Sequence, residues 1–204
     1  MTFQQAARRA QSSALPMGAR VIALHQCAEK YSPIGFHATL DYLESTAGPY
    51  RSNEAALVAA VAVLRQAHSL WQEELGSYAA ERRSAKRAGQ RVPRRSDPNP
   101  NALTTWHGRQ RVAALFAVGR WRRLTGDGHS SSDQERLVRE LADLALSSKF
   151  SPDDDAALEE LRAVLDESAS WDLYRQDPAA YFRARSLGRI VHHLRVATRE
   201  AADA

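Results

Sequence analysis

Apolar and aromatic side chains recur at helical spacing through the middle of the first half of the chain. Leu57, Val61, Leu64, His68, Trp71, Leu75 and Tyr78 follow one another at alternating steps of four and three, which sets them on one seam of a single helix. The seam predicts a long central helix over about 52–80. Ser52 is the expected N-cap, and Glu54 stands in the first turn, where a carboxylate meets the positive end of the helix dipole. Gly76 costs about 1 kcal/mol relative to alanine in a helix interior, so the helix is expected to weaken there and to stop between Gly76 and Ala88.

The same spacing marks shorter helices on either side. Thr2 followed by Gln5 has the form of a capping box and opens an alanine-rich run to Ala14, readable as a first helix or as a flexible arm over 1–15. Residues 19–31 predict a helix with Val21, Ile22, His25 and Ala28 inward, stopped at Ser32-Pro33. Phe36, Leu40 and Leu43 predict another, which Gly48-Pro49 ends. Gly89, Pro93, Pro98 and Pro100 predict a basic loop over 89–101.

Beyond it, Asn101 is the expected cap of a helix over 102–124. The centre of that helix, Val112 to Val118, is apolar on every face and predicts a buried element. Ser132 with Glu135 is a second capping box. Leu137, Leu141 and Leu144, then Leu158, Leu161 and Leu165, predict two helices joined as an antiparallel hairpin over 132–167. Ser151-Pro152 with three aspartates after it is a strong helix start. Asp177-Pro178 opens a last helix with Phe182, Ile190, Val191 and Leu194 inward, and the tail at 200–204 is expected to fray. Only Arg189–Val196 has any strand character. The expectation is an all-α helical bundle of about seven helices in a single domain over 1–204.

Charge changes the picture more than composition does. The chain has 204 residues and a formal charge of +4. Residues 1–126 hold 18 Lys/Arg against 8 Asp/Glu, whereas residues 127–178 hold 5 against 14. Such opposed patches can attract each other or a partner. The basic excess gathers into two clusters: Arg82, Arg83, Lys86, Arg87, Arg91, Arg94 and Arg95 after the seam, and Arg109, Arg111, Arg120, Arg122 and Arg123 around the apolar helix, beside Trp106 and Trp121. Arginines neutralise phosphates and aromatic rings stack on exposed bases, so DNA or RNA is the first expectation for a partner. No helix-turn-helix, zinc-finger or RNA-recognition signature accompanies them. The competing expectation is a solvated basic face paired with the acidic hairpin.

Candidate chemistry is sparse. No Glu-x-x-His or His-x-x-x-His spacing is present, so no metal site is predicted, and Gly126-Asp-Gly128 lacks the pattern of a phosphate-binding loop, so no cofactor is predicted. Asp153, Asp154 and Asp155 read as helix-start charges. Arg185 and His192 would share a face of the last helix and could set a cation beside a general acid/base at an RNA phosphate. With 25 Arg and 7 His in the chain, such pairs arise readily by chance. One cysteine, Cys27, fits a reducing compartment, and no apolar run reads as a signal peptide or membrane span, so the expected location is cytoplasmic and away from membranes. The reading is a non-catalytic accessory or assembly protein that binds nucleic acid through its arginines. A protein-only adaptor or homo-oligomerising scaffold is the alternative, and a small RNase using Arg185 and His192 is third.

Overall fold

A computed structural model describes residues 1–92, 105–126, 132–168 and 170–199. Among these residues the fold is all-helical: α1 (Phe3–Gln11), α2 (Met17–Lys30), α3 (Phe36–Ala47), α4 (Glu54–Arg87), α5 (Gln110–Thr125), α6 (Asp133–Leu146), α7 (Pro152–Ser168), α8 (Trp171–Gln176) and α9 (Pro178–Arg199). Arg189 to Val196 is helical, within α9. Most of the expected loop over 89–101, the Asn101 cap and the tail at 200–204 lie outside the described residues. The chain divides into two compact units, 1–109 and 110–204.

In the first unit the N-terminus is a helix, closed by the predicted capping box. Gln5 N–H donates to Thr2 Oγ1 at 3.2 Å, and Thr2 N–H donates to Gln5 Oε1 at 2.8 Å. Ala6, Ala7 and Ala10 are buried, and their small side chains let α1 lie close against α2. α2 turns a different face inward from the one its pattern predicts. Ala23, Leu24, Cys27 and Ala28 are buried, while Ile22 is 59% exposed. Arg20 accounts for the rotation: it is buried, donates to the Ala10 carbonyl at 3.0 Å and pairs with Glu54, tying α1, α2 and the start of α4 together.

α4 starts one residue later than predicted, because Asn53 and not Ser52 is the cap; its side chain accepts from Ala56 N–H at 3.0 Å. The seam is buried at Leu57, Val61, Leu64 and His68, but no residue from 69 to 87 is fully buried. The helix passes Gly76 without a break and ends after Arg87. There Gly89, at φ +92°, allows its own N–H to reach Lys86 C=O at 3.1 Å and Gln90 N–H to reach Ala85 C=O at 2.9 Å. That pair of bonds is a Schellman closure.

The second unit packs α9 against α5, α6, α7 and α8. Its core joins Val118 of α5, Val138 and Leu141 of α6, Leu158, Leu161 and Leu165 of α7, and Ile190, Val191 and Leu194 of α9. The predicted hairpin is α6–α7, and its starts are capped as expected: Ser132 accepts from Glu135 N–H at 3.2 Å, and Ser151 N–H donates to Asp154 at 2.8 Å. Two expectations fail here. The helix predicted over 102–124 begins only at Gln110, and its centre is buried on one side alone: Ala113, Ala114, Ala117 and Val118 are inside while Val112 is 59% exposed. Phe182, predicted inward, is 59% exposed, because α9 turns Ala184, Leu187 and Val191 to the core instead.

Candidate nucleic-acid interface

The structure separates the arginines that sequence alone groups together. Arg82 is part of the closure of α4, donating to the carbonyls of Gln90 and Arg91 at 3.1 and 3.5 Å. Arg83, Lys86 and Arg87 lie at helical steps of three and four, hence on one side of the last turns, and with Arg91 just beyond they are exposed. None of these four has an ion pair or hydrogen bond from its side chain among the described residues. Like charges at this spacing repel by a few tenths of a kcal/mol, partly offset by the negative end of the helix dipole. The result is a compact cationic patch. Arg94 and Arg95 lie outside the described residues.

Around α5 the picture is different. Arg122 grips Asp143 of α6 with two bonds, at 2.8 and 3.2 Å, and also donates to the Gly126 carbonyl at 2.8 Å. It joins two helices. Arg120 is half-buried and engaged, whereas Arg109, Arg111 and Arg123 are exposed. Part of the acidic hairpin is paired within its own unit: Arg139 binds Glu135 at 2.7 Å, Arg162 reaches Glu159 and Asp166, and Arg195 binds Glu159 at 2.6 Å, while Glu140, Asp153, Glu160 and Glu167 are exposed.

Residues 105–109 hold an extended polar network of the first unit. Trp106 is buried with its ring 4.7 Å from that of Tyr42. His107 Nε2 lies 2.9 Å from Glu74, and its Nδ1 lies 3.0 Å from the Tyr31 hydroxyl, which is also 3.2 Å from the Ala67 carbonyl. Burial pushes the Tyr31 phenol above its ordinary range, so it stays protonated and keeps a proton to donate. Tyr31 is wholly buried and His107 nearly so, which places the network to fasten this segment onto α2 and α4. Gly108 makes the fastening possible: its φ is +84°, and a Cβ there would stand 2.6 Å from Leu70 Cδ1. This docking is why α5 cannot begin at 102, since a left-handed residue interrupts the helix.

Arg185 and His192 both lie on α9. Arg185 is exposed and turned to Tyr181, donating to its hydroxyl at 3.3 Å and lying 5.6 Å from its ring centre. His192 is half-buried beside His193, with ring centres 5.8 Å apart. His193 is fully buried, with neither ring nitrogen hydrogen-bonded among the described residues, and burial lowers its pKa to about 3. Among the described residues no three His, Cys, Asp or Glu side chains are grouped to hold a metal.

One surface escaped the sequence pattern altogether. Trp171 and Tyr174 of α8 stack at 4.8 Å, and Tyr174 meets Tyr181 and Phe182 of α9 edge-on at 5.2 and 6.0 Å. The available signal was the Trp-x-x-Tyr and Tyr-Phe spacing across Asp177-Pro178. No protein-family model, no curated protein and no solved structure matches this chain.

Proposed function

We propose that the protein is a non-catalytic helical accessory protein that binds nucleic acid, using the cationic end of α4. The observation that carries this reading is the exposure of Arg83, Lys86, Arg87 and Arg91 with no ion pair or side-chain hydrogen bond among the described residues. A polyanion relieves the repulsion within the patch and releases counterions as it binds. Arg109, Arg111 and Arg123 are exposed and can add to the same attraction, whereas Arg122 is committed to Asp143.

The test is binding to a labelled duplex and a labelled single strand across a range of salt. Affinity should fall steeply as salt rises. Replacing Arg83, Lys86, Arg87 and Arg91 together by alanine should flatten the log–log slope by about 0.7 to 0.9 for each phosphate that the variant no longer neutralises. Absence of binding at low salt, or an unchanged slope in the variant, would overturn the reading.

A protein-only adaptor is the second reading, favoured by one feature. Trp71, Leu75 and Tyr78 continue the α4 seam but are only half-buried. That reading calls for a defined oligomer or a stoichiometric partner through this seam, lost on Leu75→Asp, and a monodisperse monomer in sedimentation would count against the oligomeric form.

A further inference from the structure

We infer that the aromatic surface of α8 and α9 is a base-stacking platform, so that the nucleic acid held by this protein is engaged as a single strand. The inference rests on the nucleic-acid reading above and adds the strandedness and a second site. Trp171 and Phe182 are 61% and 59% exposed, although both rings are held in place by Tyr174. Each stands within 4.8 or 6.0 Å of the Tyr174 centroid, so they are no further apart than the sum of those distances. Contact with neighbouring rings fixes their orientation in advance, which lowers the entropy lost when a base stacks on the outer face.

The surroundings select the partner. Among the described residues of α8 and α9 the large apolar side chains that are exposed, Trp171 and Phe182, are both aromatic, and the aliphatic Leu173 between them is half-buried. A greasy docking surface would mix the two, whereas a π-face suits a planar base. Arg175, Arg183, Arg185 and Arg189 are all exposed on the same two helices. Of the acids nearby, Asp177 is occupied: its carboxylate accepts from Ala180 N–H at 2.9 Å and lies 3.9 Å from Arg183, and Glu135 of α6, which lines a pocket with Arg183, is bound by Arg139 at 2.7 Å. On these helices Asp172 alone opposes the remaining arginines. Cations interleaved with stacked rings are what a strand of alternating phosphates and bases requires. A second copy of the same surface fits poorly, because a two-fold contact would bring these arginines against themselves.

A thymidine homopolymer of about 20 nucleotides and a duplex of similar length serve as probes. Trp171→Ala and Phe182→Ala should each weaken homopolymer binding by about tenfold and leave duplex binding unchanged. Trp171→Phe, which keeps a ring face, should bind nearly as the parent does. Trp71, Trp106 and Trp121 are half-buried or buried, so homopolymer should quench the parent's tryptophan fluorescence and quench the Trp171→Phe protein far less. Both side chains are exposed, and unchanged helical circular dichroism verifies that the variants fold. Homopolymer affinity that is unchanged in both alanine variants overturns the inference while the salt slope still decides the arginine patch on α4. Parent protein that binds duplex but ignores the homopolymer also overturns it, and leaves this face to a protein partner.

Discussion

His193 shows what a single side chain can cost. Buried with neither nitrogen hydrogen-bonded among the described residues, it is held neutral in the folded chain, with a pKa of about 3 against about 6.5 when unfolded. Desolvation is the main cause, and His192 and Arg189 nearby add to it. Because the folded value is the lower one, the unfolded chain takes up the proton first. The stability tied to His193 is complete above about pH 6.5 and drains away as pH falls toward about 3. His25 and His68 are also lowered by burial and act with the same sign. Urea unfolding of His193→Leu should therefore show a shallower decline with acidification than the parent, at little cost near neutrality, since an apolar group of similar size removes an unsatisfied polar one. Parallel curves would refute this account. The adjacent His192-His193 pair shows in sequence only that the two rings diverge on a helix; that His193 is the one turned inward depends on the face α9 turns to its neighbours.

At the scale of elements, α4 and α5 mark where periodicity succeeds and where it stops. The seam from Leu57 to His68 is buried as the spacing predicts, because a stripe of large apolar side chains at steps of three and four has one low-energy arrangement. The same spacing continues to Tyr78 without full burial, since periodicity reports which residues share a face and not whether anything covers it. Two glycines illustrate the difference. A Cβ at Gly76 meets nothing within 4 Å, so Gly76→Ala should stabilise α4 by up to about 1 kcal/mol, visible as slower amide exchange in its second half. Gly108→Ala should do the reverse, freeing Trp106 and shifting its fluorescence to the red, because a side chain at φ +84° is strained and its Cβ, 2.6 Å from Leu70 Cδ1, would displace that leucine. A normal spectrum in Gly108→Ala would contradict that. α8 was missed because six residues are too few to display a period.

For the molecule as a whole, the division of charge depends on where the units part. Residues 1–109 hold fourteen Lys/Arg against eight Asp/Glu, and residues 110–204 hold fourteen against sixteen. The basic stretch around α5 therefore belongs with the acidic helices, where Arg122 meets Asp143, and the net basic excess sits in the first unit. This yields a discriminating prediction. Arg122→Ala should lower stability by about 1 kcal/mol in denaturant titration and leave the salt slope of nucleic-acid binding as it was, the opposite of the α4 variants. A flattened slope in Arg122→Ala would show that the patch on α4 has been assigned too narrowly.

The helical class, the capping box at Thr2, the N-cap at Ser132, the hairpin around Ser151-Pro152 and the start of the last helix were all decided by the sequence. Each depends on residues within a few positions of one another, and such local interactions form the same way wherever the chain later packs. Tertiary structure alone decided that Arg20 and His193 are buried, that Trp106 and His107 return to α2 and α4, that Arg122 is a structural clasp while Arg83 and Arg87 stay open, and that Trp171 and Phe182 gather with two tyrosines on the surface. Those outcomes depend on which faces meet across long stretches of chain, and identical side chains acquire opposite roles according to what lies opposite them.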